Sequence, residues 1–195
     1  MRNFFLLTNG VNVQQLMLQI QRQPELWKAD TYLRDYPQGP FEDVETIFLR
    51  FPPASVTEIE RSQRDQHECV NMDGLIHLPA ARPLIFGLMA MVEGERLGRV
   101  MINKIRPGGR IYPHADTAAH AAYYDRFHYC LQALPGCKFR CGHEDVGMRT
   151  GELWWFDNSE EHEVINNSAD DRLHLIIDVR TSYFDVRGAL PTAPV

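Results

Sequence analysis

The sequence predicts a mainly β domain of the α+β class, with helices in its first half supporting an antiparallel barrel or sandwich in its second. Three observations lead there. From Arg99 onward, short runs of about six to nine residues alternate with turn clusters such as Pro107-Gly108-Gly109, Pro135-Gly136 and Asp157-Asn158-Ser159, the rhythm of an antiparallel β fold. Upstream, apolar residues recur at helical spacing. The length of 195 residues suits one domain, and 44% hydrophobic with 24% charged residues is the composition of a folded chain, not a disordered one.

The elements follow in order. Asn12 to Gln23 reads as a helix: Asn12 offers a cap, Leu16 and Ile20 share a face, and Pro24 ends it. Glu45–Phe51 is aromatic and β-branched and closes on Pro52-Pro53, which predicts a strand. Leu84–Val92 predicts a buried helix entered after Pro83, with Gly94 and Gly98 punctuating its exit. Strands are then expected at Arg99–Ile105, Arg110–Pro113, Arg126–Leu134, Cys137–Cys141, Glu152–Phe156, His162–Ile165 and Arg172–Arg180.

Alternation along a strand sorts these residues by face. Arg126, His128 and Cys130 share one face against Phe127, Tyr129 and Leu131. Arg172, His174, Ile176 and Asp178 share another against the apolar stripe Leu173, Leu175, Ile177 and Val179. Two strands with Arg-x-His at the same relative end predict a polar-lined pocket inside a small barrel.

Charge and length exclude several classes. Twenty Lys and Arg against 26 Asp and Glu give a net charge of −6, which disfavours nucleic acid as a partner. The longest nearly apolar run, Leu84 to Val92, stops at Glu93, far short of the ~20 residues that cross a bilayer, so no membrane partner is expected. The Phe4–Leu7 patch is too short for the ~7–15-residue apolar region of a secretory signal. Cys69, Cys130, Cys137 and Cys141 are therefore expected as reduced thiols in a cytoplasmic protein, and Cys137 and Cys141 lack the further ligands a zinc site needs.

The sharpest chemical cluster is His114-Ala115-Asp116, following Pro107-Gly108-Gly109 and a short strand. Positions i and i+2 of an extended segment point the same way, so one imidazole and one carboxylate converge on a cation. His162, opening a strand after a tight turn, supplies a second imidazole. Two His and one carboxylate form one face of an octahedron and leave positions open for a cosubstrate and dioxygen, the pattern of non-haem Fe(II) oxygenases. Arg172, ten residues on, is a planar fork suited to a carboxylate. Taken singly, His-x-Asp arises often by chance, His162 fits a surface hairpin, and Arg172 fits a rim salt bridge; their order along the chain favours the metal site. His67, His77, His143 and His174 have no comparable constellation, and His120 is a substitute ligand if the segment after Asp116 folds back.

The stretch from about Asn103 to Arg180 resembles the aspartyl/asparaginyl β-hydroxylases. The resemblance is carried by Arg106-Pro107-Gly108-Gly109, Tyr112-Pro113-His114, Arg126-Phe127-His128, Gly136-Cys137-Lys138-Phe139-Arg140-Cys141, Gly151-Glu152, Phe156 to Val164, Arg172-Leu173 and Ile177-Asp178-Val179. It implies a double-stranded β-helix, the jelly-roll or cupin-like barrel, and an Fe(II)- and 2-oxoglutarate-dependent dioxygenase that uses O2 to hydroxylate an unactivated C–H bond. It also implies iron on His114 and His162, the far carboxylate of 2-oxoglutarate on Arg172 with Asn103 assisting, and Arg126 and His128 lining the cosubstrate pocket. Two positions depart from the pattern: Asp116 stands where the best-known members have Gly, and Asn103 stands where they have a hydroxyl donor. Asp116 is accordingly expected either to complete a triad or to orient a ligand from outside it.

On this reading the chain is one domain: residues 1–98 give helical and strand support and shape the substrate cleft, 99–182 form the catalytic barrel, and 183–195 are a tail. Trp154, Trp155 and Phe156 are candidates for a dry wall at the site, or plain core aromatics. Arg50, Arg61 and Arg64 are candidates to meet a substrate carboxylate, the substrate being a free amino acid or an Asp or Asn residue of a peptide or protein. Two other classes stay open: a barrel that binds a small acid without turnover, and a cupin-type metalloenzyme. The latter ordinarily shows His-x-His, which this chain lacks.

Overall fold

In a computed structural model of the chain, residues 1–53 and 67–182 are described. They form two facing antiparallel sheets. The strands are β1 (Phe4–Thr8), β2 (Val44–Phe51), β3 (Val70–Asn71), β4 (Gly94–Ile105), β5 (Arg110–His114), β6 (Asp125–Gln132), β7 (Cys137–Cys141), β8 (Glu144–Val146), β9 (Leu153–Phe156), β10 (His162–Asn166) and β11 (Arg172–Thr181). The major sheet runs β1-β9-β6-β11-β4-β2-β3 and the minor sheet β5-β10-β7-β8. The helices are α1 (Gln14–Gln21), α2 (Tyr32–Asp35), α3 (Asp73–His77), α4 (Ala81–Met91) and α5 (Ala118–Ala121), with a 3-10 turn at Pro24–Lys28.

Alternation decides which way each strand faces. Leu173, Leu175, Ile177 and Val179 of β11 and Phe127, Tyr129 and Leu131 of β6 join the larger core, where they meet Leu16 and Ile20 of α1 and Ile85 and Leu88 of α4. The opposite face of the same strands looks toward the minor sheet, where Cys130, Phe139, Trp154, Phe156 and Val164 make a second core. Helices α1 and α4 thus cover one side of the major sheet with their apolar stripes, and the space between the sheets is left for the site.

Several expectations shift. Asn12 does accept a bond from the Gln14 amide, 3.0 Å, but the regular helix is shorter at both ends than Asn12 to Gln23. Helix α4 begins at Ala81, since Pro83 is tolerated in a first turn where amides have no intrahelical acceptor. Gly94 and Gly98 lie inside β4 and do not end the helix. A Cβ on Gly98 would stand 2.8 Å from the Tyr124 ring, so close packing explains this glycine. The strand expected at Glu45–Phe51 is present as β2, and the first half also contributes β1 and β3, which were not expected, to the major sheet. The tail after 182 and the candidate residues Arg61 and Arg64 lie outside the described residues.

Candidate metal and cosubstrate site

β5 and β10 are antiparallel neighbours, and their register sets His162 opposite His114. The two ring centroids stand 4.3 Å apart. Each imidazole is oriented by a backbone carbonyl: His114 Nδ1 bonds to the Tyr112 oxygen at 2.8 Å, and His162 Nδ1 to the Glu160 oxygen at 2.9 Å. A carbonyl only accepts, so Nδ1 carries the hydrogen in both rings and each Nε2 keeps a free lone pair. Burial disfavours the charged form of both rings, lowering His114 and bringing His162 to about 4. Both are neutral near pH 7, as metal ligands must be.

Asp116 follows on the same segment, pinned by its amide bond to the Asn158 carbonyl at 3.1 Å. Its Oδ2 accepts from Asn158 Nδ2 at 2.8 Å and pairs with Arg126 Nη1 at 2.6 Å. Both contacts fall on one oxygen, which leaves Oδ1 as a donor of electron pairs. One ligand atom each from His114, Asp116 and His162 lies within 4.8 Å of the others. Two neutral imidazoles and one carboxylate fit ferrous iron, with the carboxylate oriented by groups behind it.

Arg126 is held from its other side as well. Its Nε donates to Asp178 Oδ1 at 2.7 Å and its Nη2 to Asp178 Oδ2 at 3.0 Å. Burial opposes ionisation of Asp178, but Arg126 and the bond from His120 outweigh it and hold the carboxyl below its usual range. The guanidinium lines the cavity, as expected for it, and is also committed to two carboxylates. His120, offered as a substitute ligand, has its Nε2 2.9 Å from Asp178 Oδ2, so it belongs to this brace and not to the metal group.

Arg172 presents the opposite situation. It is buried, only 2% exposed, and no described carboxylate pairs with it. Its Nη2 reaches His174 Nδ1 at 3.2 Å, and its guanidinium lies 5.8 Å from the Phe139 ring centroid. Burial without a counter-charge pulls its pKa down to about 10. Since Arg only donates, His174 Nδ1 accepts and its hydrogen sits on Nε2, which has no partner. Neither ring nitrogen of buried His128 has one either. Asn103, 1% exposed, accepts from Thr46 Oγ1 at 3.0 Å through Oδ1, so its NH2 is the group left to donate elsewhere. Unsatisfied buried groups cost about 1–3 kcal/mol each, and a cluster of donors beside an unpaired guanidinium fits an anion rich in acceptors, as a dicarboxylate is.

A cavity of about 90 Å³ between the sheets is lined by Arg99, Asn103, His114, Asp116, Arg126, His128 and His162 together with apolar side chains. Arg172 stands outside that lining, packed on Phe139, which belongs to it. Of the three aromatics expected as a dry wall, Phe156 serves, its ring 4.9 Å from His162. Trp154 packs in the inter-sheet core and Trp155 on the opposite face with the helices. Arg50 is turned to the Leu97 carbonyl and to Asn71 and does not reach the cavity. Sequence reasoning missed the parts played by His174, Asp178 and Asn158. The first two were signalled by sharing a strand face with Arg172; Asn158 carried only a turn signal.

Comparison with known proteins agrees with this geometry. The family model described as aspartyl/asparaginyl beta-hydroxylase matches residues 73–182, more than half of the chain. The human aspartyl/asparaginyl beta-hydroxylase is 34% identical over 88 residues, covering 44% of this chain and 11% of the human protein; the mouse protein matches equally. The aligned stretch is thus about a tenth of the length of these curated relatives. Among solved structures, an oxidoreductase of the 2OG-Fe(II) oxygenase family from Burkholderia pseudomallei superposes with a TM-score of 0.55 at 16% identity, covering 92% of this chain and 95% of that one. A Pseudomonas putida prolyl-4-hydroxylase gives 0.52 at 15% identity, covering 93% and 94%. The fold is therefore the double-stranded β-helix of these oxygenases, and with the matched segment containing His114, Asp116, His162 and Arg172, the chain belongs to the aspartyl/asparaginyl beta-hydroxylase family.

Proposed function

We propose that the protein is an Fe(II)- and 2-oxoglutarate-dependent dioxygenase that hydroxylates an unactivated C–H bond of an aspartyl or asparaginyl residue or a related amino-acid substrate. The observation that carries this reading is the pairing of two unlike sites in one inter-sheet space: a His-Asp-His group of two neutral imidazoles and one carboxylate, and a buried arginine lacking a counter-charge. His114, Asp116 and His162 would hold the iron. Arg172 would take the far carboxylate of 2-oxoglutarate, with Asn103 donating beside it and His128 and His174 offering ring N–H groups. When bound, iron and its keto-acid supply the oxidation: O2 is reduced, 2-oxoglutarate leaves as succinate and CO2, and one oxygen atom enters the C–H bond.

The chain's own residues then have definite tasks. Burial disfavours protonation of both imidazoles, so near pH 7 they would meet a metal ion as neutral ligands. Arg126 and Asn158 hold Asp116 Oδ2, which fixes the direction of Oδ1. Ile111, Phe139, Phe156 and Val164 line the cavity with carbon and exclude water from it. Partners are small molecules, 2-oxoglutarate and an amino-acid or peptide substrate; no described helix is long and apolar enough to cross a membrane. The four cysteines are free thiols, which supports a reducing, cytoplasmic setting.

The test is succinate formation from 2-oxoglutarate with Fe(II) and ascorbate, beside calorimetric titration of the protein with Mn(II) and 2-oxoglutarate. The reading expects one metal site, 2-oxoglutarate binding and iron-dependent succinate. Binding of both without succinate would establish instead a barrel that holds a small acid without turnover. Failure of the metal to bind would overturn the site itself.

A further inference from the structure

One cation of the cavity is not used by the proposed chemistry. Arg99, on β4, lines the cavity with Leu33, Phe51, Met101 and Ile176. Met101 and Ile176 pack with Phe48 as a small cluster separate from the two main cores, and Leu33 and Phe51 cover it. The Arg99 guanidinium lies 5.4 Å from the Phe51 ring centroid and has no hydrogen bond or ion pair with a described residue. The other charged groups of the lining are accounted for. Arg126 and Asp116 pair with each other, and His114 and His162 belong with Asp116 to the metal group. The demands of 2-oxoglutarate are met by Arg172 and by the metal group. A half-buried guanidinium resting on an aromatic face, with its fork unspent, is a carboxylate receptor.

We propose that Arg99 anchors the substrate through a carboxylate, and that the substrate is a small acid carrying an apolar group beside that carboxylate. This rests on the oxygenase reading of the same cavity and narrows it. The apolar group packs on Phe51, Met101 and Ile176 while the carboxylate takes two parallel N–H bonds from Arg99. An Asp or Asn inside a peptide is the poorer fit. Its flanking backbone amides need hydrogen-bond partners, and the described side chains around Arg99 (Leu33, Phe51, Met101 and Ile176) are all apolar.

The experiment uses full-length protein saturated with Mn(II) and 2-oxoglutarate, so that the Arg172 end is filled and no turnover occurs. Binding is measured by calorimetry for 4-methylpentanoate, for 4-methylpentanamide, and for a peptide with an internal Asp and both ends blocked. The wild type should bind the acid about tenfold or more tighter than the amide. Arg99→Ala should erase that preference, and Arg99→Lys should restore part of it; circular dichroism checks that both variants fold. Equal binding of acid and amide, binding of neither, or a preference that survives Arg99→Ala overturns the proposal, as does a blocked Asp peptide that outbinds the acid. Succinate formation by the wild type with Fe(II) is followed in parallel. If it is absent the oxygenase reading fails, while the acid-to-amide ratio still reports on Arg99.

Discussion

The inter-sheet space holds two buried arginines, one lining the cavity and one packed behind Phe139 at its margin, and their surroundings are built on opposite plans. Arg126 meets Asp116 and Asp178 at 2.6 and 2.7 Å, and Asp178 in turn meets His120, so every charge there has a protein partner. Arg172 is equally buried and meets only a histidine ring, with orphaned nitrogens on His128 and His174 nearby. A satisfied network holds a shape by itself; an unsatisfied one is stabilised by what binds to it. The comparison teaches that burial of an arginine does not by itself mark a ligand site, whereas burial without a counter-charge does.

Four measurements can break or sharpen the contrast. The largest effect is expected at the metal group: His162→Ala should weaken Mn(II) binding by more than about 100-fold in calorimetry and abolish succinate formation. Next comes Arg126→Met. It leaves Asp116 and Asp178 buried without their cationic partner, held only by Asn158 and His120, so chemical denaturation should show a loss of about 3–5 kcal/mol. Arg172→Met should do the reverse. Removing an uncompensated buried charge should leave the melting temperature unchanged or raised, while affinity for 2-oxoglutarate falls by an amount equivalent to about 2–5 kcal/mol. A large destabilisation by Arg172→Met would mean that its end is braced like the other. The smallest effect is expected for Asn158→Ala, which removes one of the two contacts on Asp116 Oδ2. Metal affinity should fall about tenfold with little change in stability.

Much of this contrast could be read in the sequence, and the reason is local. Alternation in Arg126–Leu134 and Arg172–Arg180 placed the polar residues on one face and the apolar stripe on the other, and the registers Arg126 with Asp178 and His128 with Ile176 keep those faces together. The metal group was legible because His114 and Asp116 are two apart on an extended segment. What pairs with what was not legible. That Arg126 is consumed by Asp116 depends on the return of the chain after β5, and no residue spacing reports it. Strands β3 and β8 are two and three residues long and exist through pairing with β2 and β7, so they leave no periodic trace. Gly98 looked like punctuation because a glycine that admits a neighbouring ring and a glycine that ends a helix are written the same way.

The thiols of Cys130 and Cys141, on the inter-sheet side of β6 and β7, have a bearing on durability. Burial pushes both up to about 12, so at neutral pH the reactive thiolate form is nearly absent. On the proposed oxygenase function, dioxygen would be activated a few side chains away, and a thiolate there would be open to sulfenic acid formation, with a polar sulfur wedged between the sheets. Burial that keeps those sulfurs protonated would then lower their susceptibility to oxidation by the protein's own chemistry.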